Sequence, residues 1–167
     1  VAKNTAQIAA GKAITPHFLK SIDGKPVEFA PTELFTPKEK AQLPLVRRGM
    51  YEVGNNPDGG TAYKLIHTAV VPLAVKTGTA QVVGISQTAK KRMKEADMDY
   101  FHRSHAWMTS FGPYDKPQYA VTVLVEHGGG GGSAAGPVIM QIYEKLAQMG
   151  YIDANATTIK DNAKKTK

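Results

Sequence analysis

The 167-residue chain contains no cysteine. Disulfides and thiolate metal sites are therefore excluded, while the compartment stays open. Long hydrophobic runs are missing too. The longest, Ala69–Val75, has seven residues and contains Pro72, far short of the ~20 apolar residues of a membrane-spanning helix. The first residues do not read as a secretory signal. Val1 stands where an initiator methionine would, so a processed product or a fragment is expected. There is no Gly-x-x-x-x-Gly-Lys-Ser/Thr phosphate loop. Nor is there a basic face interleaved with aromatics or a recognisable nucleic-acid module, so nucleic acid is not an expected partner.

What is present is ordinary for one globular domain: 42% hydrophobic and 21% charged residues. The net charge of +7 is uneven. Lys160, Lys164, Lys165 and Lys167 against Asp161 give the last eight residues +3. Between Gln87 and His105, Lys90, Lys91, Arg92, Lys94 and Arg103 stand against Glu95, Asp97 and Asp99, for +2. Such runs read as solvated faces or frayed tails.

Taken in order, Val1–Ala10 reads as the end of a helix with Gly11 as its C-terminal cap. Ala13–Ile22 looks extended, Asp23-Gly24-Lys25-Pro26 is a turn, and Val27–Phe29 returns as a short strand. Thr36, Pro37 and Glu39 make a capping box for a helix running to about Val53, kinked or split at Pro44. Gly54–Gly60 is a turn-rich break, and Thr61–Thr68 is a short helix. Leu73–Val83 reads as a strand and Ala89–Met98 as an exposed helix within a long loop. His105–Gly112 and Gln118–Glu126 are strands about a turn at Pro113–Pro117. Gly128–Gly132 ends the last strand. Ser133 or Gly136 then caps a helix with Pro137 near its start and Val138, Ile142, Leu146 and Met149 on its inner face. Tyr151–Lys167 reads as a polar, basic, flexible tail, which leaves residues 1–150 as the folded portion. The class is α+β, an antiparallel sheet with the C-terminal helix packed on one face.

Two constellations lead nowhere. Gly129-x-Gly131-x-x-Ala134, with Asp153 nineteen residues after Ala134, imitates a dinucleotide fingerprint. A Rossmann unit needs another strand after the helix, and Tyr151–Lys167 offers none, so the run reads as a mobile strand-to-helix turn. His102 and His105, near Asp97 and Asp99, lie in a loop-like segment without a metal-fixing spacing. No metal and no cofactor is expected.

The stretch that composition does not explain is Lys76-Thr77-Gly78-Thr79. A cation, two hydroxyls and a glycine occupy the middle of a strand with apolar ends. Glycine inside a strand marks close approach of another backbone or a ligand. If the strand lies at a sheet edge, its backbone can receive an extended peptide. Thr77 and Thr79 can hold a carboxylate that Lys76 neutralises. Strict alternation puts the two threonines on one face and Lys76 on the other, so one shared site needs a twisted strand or a lysine that curls over the edge.

Lys76-Thr77-Gly78-Thr79-Ala80-Gln81 resembles the third signature motif of penicillin-binding protein transpeptidases. Its surroundings agree. Gly49-Met50-x-x-Val53 and Gly60-Thr61-Ala62 are similar to the segment before this strand in class B members. Ala6-x-x-Ala9-Ala10-Gly11-Lys12-x-x-Thr15-Pro16-His17 resembles the helix end and strand between the second and third motifs. His105-x-x-Met108-Thr109-Ser110-Phe111-x-Pro113-Tyr114-x-x-Pro117-Gln118 and Val125-Glu126-His127-Gly128-Gly129 are similar to the cell-elongation subgroup, penicillin-binding protein 2. The resemblance covers roughly residues 1–150. The chain departs from the family in lacking the Ser-x-x-Lys nucleophile motif and the Ser-x-Asn motif: Ser21, Ser86, Ser104, Ser110 and Ser133 fit neither. In the family both motifs lie before the part resembled here, which implies the C-terminal third of a transpeptidase. Val75 also stands where the family often has glycine.

The resemblance implies a periplasmic D,D-transpeptidase anchored in the bacterial inner membrane, cross-linking peptidoglycan stem peptides through an acyl-enzyme on a serine outside this chain. Lys76 would assist electrostatics and proton transfer. Thr77, Gly78 and Thr79 would bind the donor or a β-lactam, with the Thr79 N–H in the oxyanion hole. Implied partners are stem peptides, β-lactams, a membrane glycosyltransferase, a scaffold protein and the N-terminal remainder of the same protein. A D,D-carboxypeptidase or β-lactamase-like hydrolase of the same superfamily, or an inert binding fragment, remains the alternative.

Overall fold

The computed structural model describes residues 1–30, 32–84 and 93–154. Helix α1 spans Ala2–Ala10 and is closed by Gly11 at φ 69°, the left-handed conformation that glycine adopts without strain. A small hairpin follows, β1 (Ser21–Ile22) and β2 (Lys25–Pro26), around the positive-φ pair Asp23 and Gly24. The return strand is therefore Lys25–Pro26 and not Val27–Phe29, because a two-residue turn pairs the residues that immediately flank it.

Helix α2 (Pro37–Asn55) starts at the expected capping box. The Glu39 N–H donates to Thr36 Oγ1 at 3.3 Å, and the Thr36 N–H donates to the Glu39 carboxylate at 2.8 Å. The backbone donor at Thr36, and then its hydroxyl, hold the Glu39 carboxyl below its usual range. The helix is not split at Pro44 but continues through it. Pro44 removes one ladder bond, while buried Leu43 and Met50 on either side keep the helix on its track. Helix α3 is Tyr63–Ile66.

The main sheet is antiparallel in the order β3-β4-β5, with β3 Ala74–Ala80, β4 His105–Gly112 and β5 Tyr119–Val125. Its register sorts the residues into two faces. Val75, Ser110 and Val121 share one face with Thr77, Met108 and Val123. Ala74, Phe111 and Ala120 share the other with Lys76, Thr109 and Thr122. The first face packs with Ile66, Leu73, Ile139, Tyr143 and Ile152, all nearly inaccessible to solvent. The second packs with Ala9 of α1 and Met50 of α2. Burying a side chain such as Phe111 or Ile139 contributes roughly 1.5–3 kcal/mol. Thr5, Thr109 and Thr122 link α1 to the second face through two hydroxyl contacts of 2.7 Å. Arg47 of α2 ties in the end of α1, donating to Ile8 O at 2.8 Å and Ala9 O at 2.7 Å.

Helix α4 (Gly131–Gln148) covers the first face. It begins at Gly131, earlier than Ser133 or Gly136, and Pro137 lies inside it. Its buried residues are Gly131, Ala135, Gly136, Ile139 and Tyr143, whereas Val138 and, just past its end, Met149 are exposed. Of the expected inner stripe Leu146 packs against this core, while the buried positions upstream are Ala135, Ile139 and Tyr143 in place of Val138 and Ile142. Ile152, which follows the helix, is buried in the same core. Residues 155–167 and the 89–92 part of the expected loop helix lie outside the described residues. Within the remainder of that loop the regular structure is two short 3-10 turns, Glu95–Asp97 and Tyr100–His102. No described helix is long and apolar enough to cross a membrane.

Tyr143 gives the core a pH signature. Its hydroxyl donates to Tyr119 O at 3.2 Å and accepts from Ser110 Oγ at 3.3 Å. Burial pushes its pKa up to about 12 from an ordinary 10.0, against the opposing effect of the Ser110 hydrogen bond. The buried phenol favours the folded state fully below the unfolded pKa of 10.0, and that contribution is lost as pH rises towards the folded value of about 12. Its size is on the order of 3 kcal/mol. Denaturant midpoints taken at about pH 9 and about pH 11 should fall more steeply for the wild type than for Tyr143→Phe. Equal slopes would remove Tyr143 as the cause.

Candidate active site

Strand β3 is an edge strand, so one side of its backbone is unpaired by the rest of the described sheet. Gly131 identifies which residues turn outwards. A Cβ at Gly131 would stand 2.1 Å from Gly78 O and 2.6 Å from Trp107 O. Two carbonyls of paired residues that meet at one point lie in the seam between their strands. Backbone groups alternate along a strand, so Thr77 and Thr79 direct their N–H and C=O groups to the free edge.

The side chains of the motif divide as alternation requires. Thr77 and Thr79 pair with Met108 and Ala106 on the α4 face, and Lys76 pairs with Thr109 on the other. Lys76 is exposed and curls back, its Nζ donating to Thr77 O at 2.7 Å. That carbonyl is on the free edge, so the ammonium reaches the edge that also carries the Thr79 N–H. Curling brings the cation to the outward Thr77 carbonyl, where alternation alone would keep it away.

Three glycines make the arrangement compact. At Gly78 a Cβ would meet Trp107 Cβ at 3.3 Å. Gly131 lies over the carbonyl seam, and Gly132 faces Leu65 and the Thr77 methyl, with hypothetical Cβ distances of 3.1 and 3.6 Å. The run Gly128–Gly132 is therefore more than a turn: its last two residues are the first of α4 and pack on β3. Sequence reading missed this role. A signal was there, because glycine costs roughly 1 kcal/mol against alanine within a helix. Val75, in place of a glycine, is fully buried and meets its glycine on α2 instead: a Cβ on Gly54 would come within 3.2 Å of Val75 Cγ2. Thr61, seen only as part of a resembling segment, stands with its Oγ1 3.4 Å from Thr77 Oγ1.

The histidines separate. His105 Nδ1 accepts the His127 N–H at 2.9 Å, and His102 faces Asp99 at 3.9 Å. Among the described residues no group of three or more His, Cys, Asp or Glu side chains is placed to hold a metal ion. Of the basic loop, Lys90, Lys91 and Arg92 lie outside the described residues. Arg103 turns its guanidinium to Met98 O at 3.1 Å. Glu95 accepts from the Ser104 N–H and hydroxyl at 2.8 Å each, anchoring the loop to the start of β4.

Comparison with known proteins decides the family. Residues 1–144 match the penicillin binding protein transpeptidase domain. The chain belongs to this family. The sequence is 36% identical over 145 residues to peptidoglycan D,D-transpeptidase MrdA of Haemophilus influenzae, covering 84% of this chain and 22% of that protein. Among solved structures it resembles PBP2 of Helicobacter pylori, described in complex with MreC, at a TM-score of 0.73 and 44% identity, covering 90% of this chain and 24% of that one. PBP2 of Pseudomonas aeruginosa, in complex with WCK 5153, gives a TM-score of 0.69 and 32% identity, covering 99% of this chain and 31% of that one. The chain thus spans less than a third of the length of these relatives.

Proposed function

We propose that the chain forms the substrate-binding wall of a peptidoglycan D,D-transpeptidase of the cell-elongation type. The observation that carries this reading is the edge strand β3, where the Lys76 ammonium reaches the outward Thr77 carbonyl and the Thr77 and Thr79 side chains share the α4 face. In the proposed reaction a serine from a part of the protein outside these 167 residues attacks the D-alanyl-D-alanine donor and expels D-alanine. An amine of a second stem peptide then takes the acyl group. Lys76 contributes positive charge and a route for the proton. The Thr77 and Thr79 hydroxyls hold the terminal carboxylate of the donor, or that of a β-lactam. Gly78 allows the sheet to close on Trp107 behind them. The Thr79 N–H joins the N–H of the nucleophile as the oxyanion hole. Such donors work because they are fixed before charge develops, and the glycine packing behind β3 supplies that rigidity.

The PBP2–MreC complex of H. pylori supports a scaffold partner of that kind. The resemblance to the elongation subgroup supports a membrane glycosyltransferase partner and action at the periplasmic face of the inner membrane. A fluorescent penicillin tests the reading. The full-length protein should form a covalent adduct that survives denaturation, and the 167-residue chain alone should form none. An unlabelled full-length protein sinks the proposal.

A further inference from the structure

Thr61 occupies a corner that its neighbours hold rigidly. The Gly60 N–H donates to Asn56 O at 2.9 Å, and the Ala62 N–H donates to Val53 O at 2.9 Å. Gly60 is pressed so closely on the end of α2 that a Cβ would lie 2.6–2.7 Å from the carbonyl oxygens of Glu52, Val53 and Asn56. Ala62 is 1% exposed. Between these fixed points the Thr61 side chain is exposed and faces Thr77, with 3.4 Å between the hydroxyl oxygens. On its other side Thr77 presents its methyl to Gly132, whose hypothetical Cβ would stand 3.6 Å from Thr77 Cγ2 and 3.9 Å from Thr61 O. Glycine backbone meets the methyl and a hydroxyl meets the hydroxyl, so two different elements select one rotamer of Thr77.

A threonine hydroxyl has one proton and two acceptor lone pairs. To hold a carboxylate, Thr77 must give that proton to the ligand. A neighbour that donates into the Thr77 oxygen leaves the proton free and strengthens it as a donor. We propose that Thr61 is this positioning residue: its hydroxyl donates to Thr77 Oγ1 and commits the Thr77 proton to the carboxylate of the donor peptide. The inference rests on the substrate role proposed for Thr77. The separation of 3.4 Å is longer than a typical O–H···O bond. Catalytic hydrogen bonds are often long before substrate arrives and tighten in the complex.

The test uses the full-length enzyme and the second-order rate of acylation by a fluorescent penicillin, beside the same compound with its carboxylate esterified. Thr61→Val should slow acylation by the free acid about fivefold to tenfold, the worth of one hydrogen bond. The ester should be little affected, and the melting temperature unchanged. Thr61→Ser restores the hydroxyl and should restore the rate. In a Thr77→Val background, Thr61→Val should have no further effect, because the hydroxyl it would orient is gone. A wild-type rate for Thr61→Val overturns the inference, as does an equal loss with acid and ester. Full additivity of the two substitutions also overturns it, since Thr61 would then touch substrate directly. If Thr77→Val alone leaves acylation intact, the carboxylate role of Thr77 falls and this inference with it. A slow Thr77→Val with a fast Thr61→Val removes the inference alone.

Discussion

Replacing Lys76 with alanine should slow acylation of the full-length enzyme by roughly 10²–10³-fold, the range for losing one preorganised stabilising group at a reacting carbonyl. The melting temperature should hardly move. Lys76 is exposed, and its polar contact is with the backbone of the next residue. Its removal opens no cavity and leaves no buried charge, and such surface changes usually stay within about 0.5 kcal/mol. A stable fold with a large rate loss would locate the effect in the chemistry. Lys76→Arg divides that loss further. Arginine keeps the positive charge but cannot give up its proton. A rate near wild type for arginine means that charge is what matters, and a rate near that of alanine points to proton transfer. Loss of less than about tenfold for Lys76→Ala would remove the lysine from the role that oxyanion-type stabilisation implies.

The motif strand was legible because its chemistry broke the local rules: no packing argument asks for Lys76-Thr77-Gly78-Thr79 between Val75 and Val82. The strands at His105 and Tyr119 were legible through β-branched and aromatic runs bounded by Pro113, Pro117 and glycines. The capping box at Thr36 was legible because it is a local device, complete within four residues. What escaped the sequence was decided by contacts distant in the chain. Pro44 reads as a kink or break and Pro137 as a residue near a helix start, yet both sit inside helices whose buried faces hold them against the sheet. The inner stripe of α4 fell on Ala135, Ile139 and Tyr143 because small residues at its start let the helix settle onto β3 and β4. Ile152 looked like part of a polar tail, and only the fold shows that it returns to the core. At the site, the glycine run encodes two things, a turn and a close approach, and only the packing of Gly131 and Gly132 on β3 reveals the second.

That close approach yields the strongest structural prediction. Gly131→Ala should disable the site although it adds a single methyl group. The new Cβ would lie 2.1 Å from Gly78 O, 2.6 Å from Trp107 O and 3.0 Å from Gly78 C. All three are backbone atoms in the β3–β4 seam, so no rotamer change can make room. Either the start of α4 lifts away or the motif strand moves outwards. Overpacking of this kind costs about 1–3 kcal/mol, offset in part by the roughly 1 kcal/mol that alanine gains over glycine within a helix. Stability should therefore fall modestly. Acylation should fall much further, by about 10²-fold, because a displacement of about 1 Å is enough to spoil a preorganised site. Gly132→Ala is the matched comparison. Its Cβ would first meet the Leu65 Cδ1 methyl at 3.1 Å, the end of a side chain that can turn aside. That variant should keep most of the acylation rate. If the two adjacent substitutions behave alike, the contact of α4 with the carbonyl seam is not what holds the motif strand in place. If Gly131→Ala acylates slowly at near-native stability while Gly132→Ala does not, the glycine of α4 belongs to the function of the motif strand as well as to its fold.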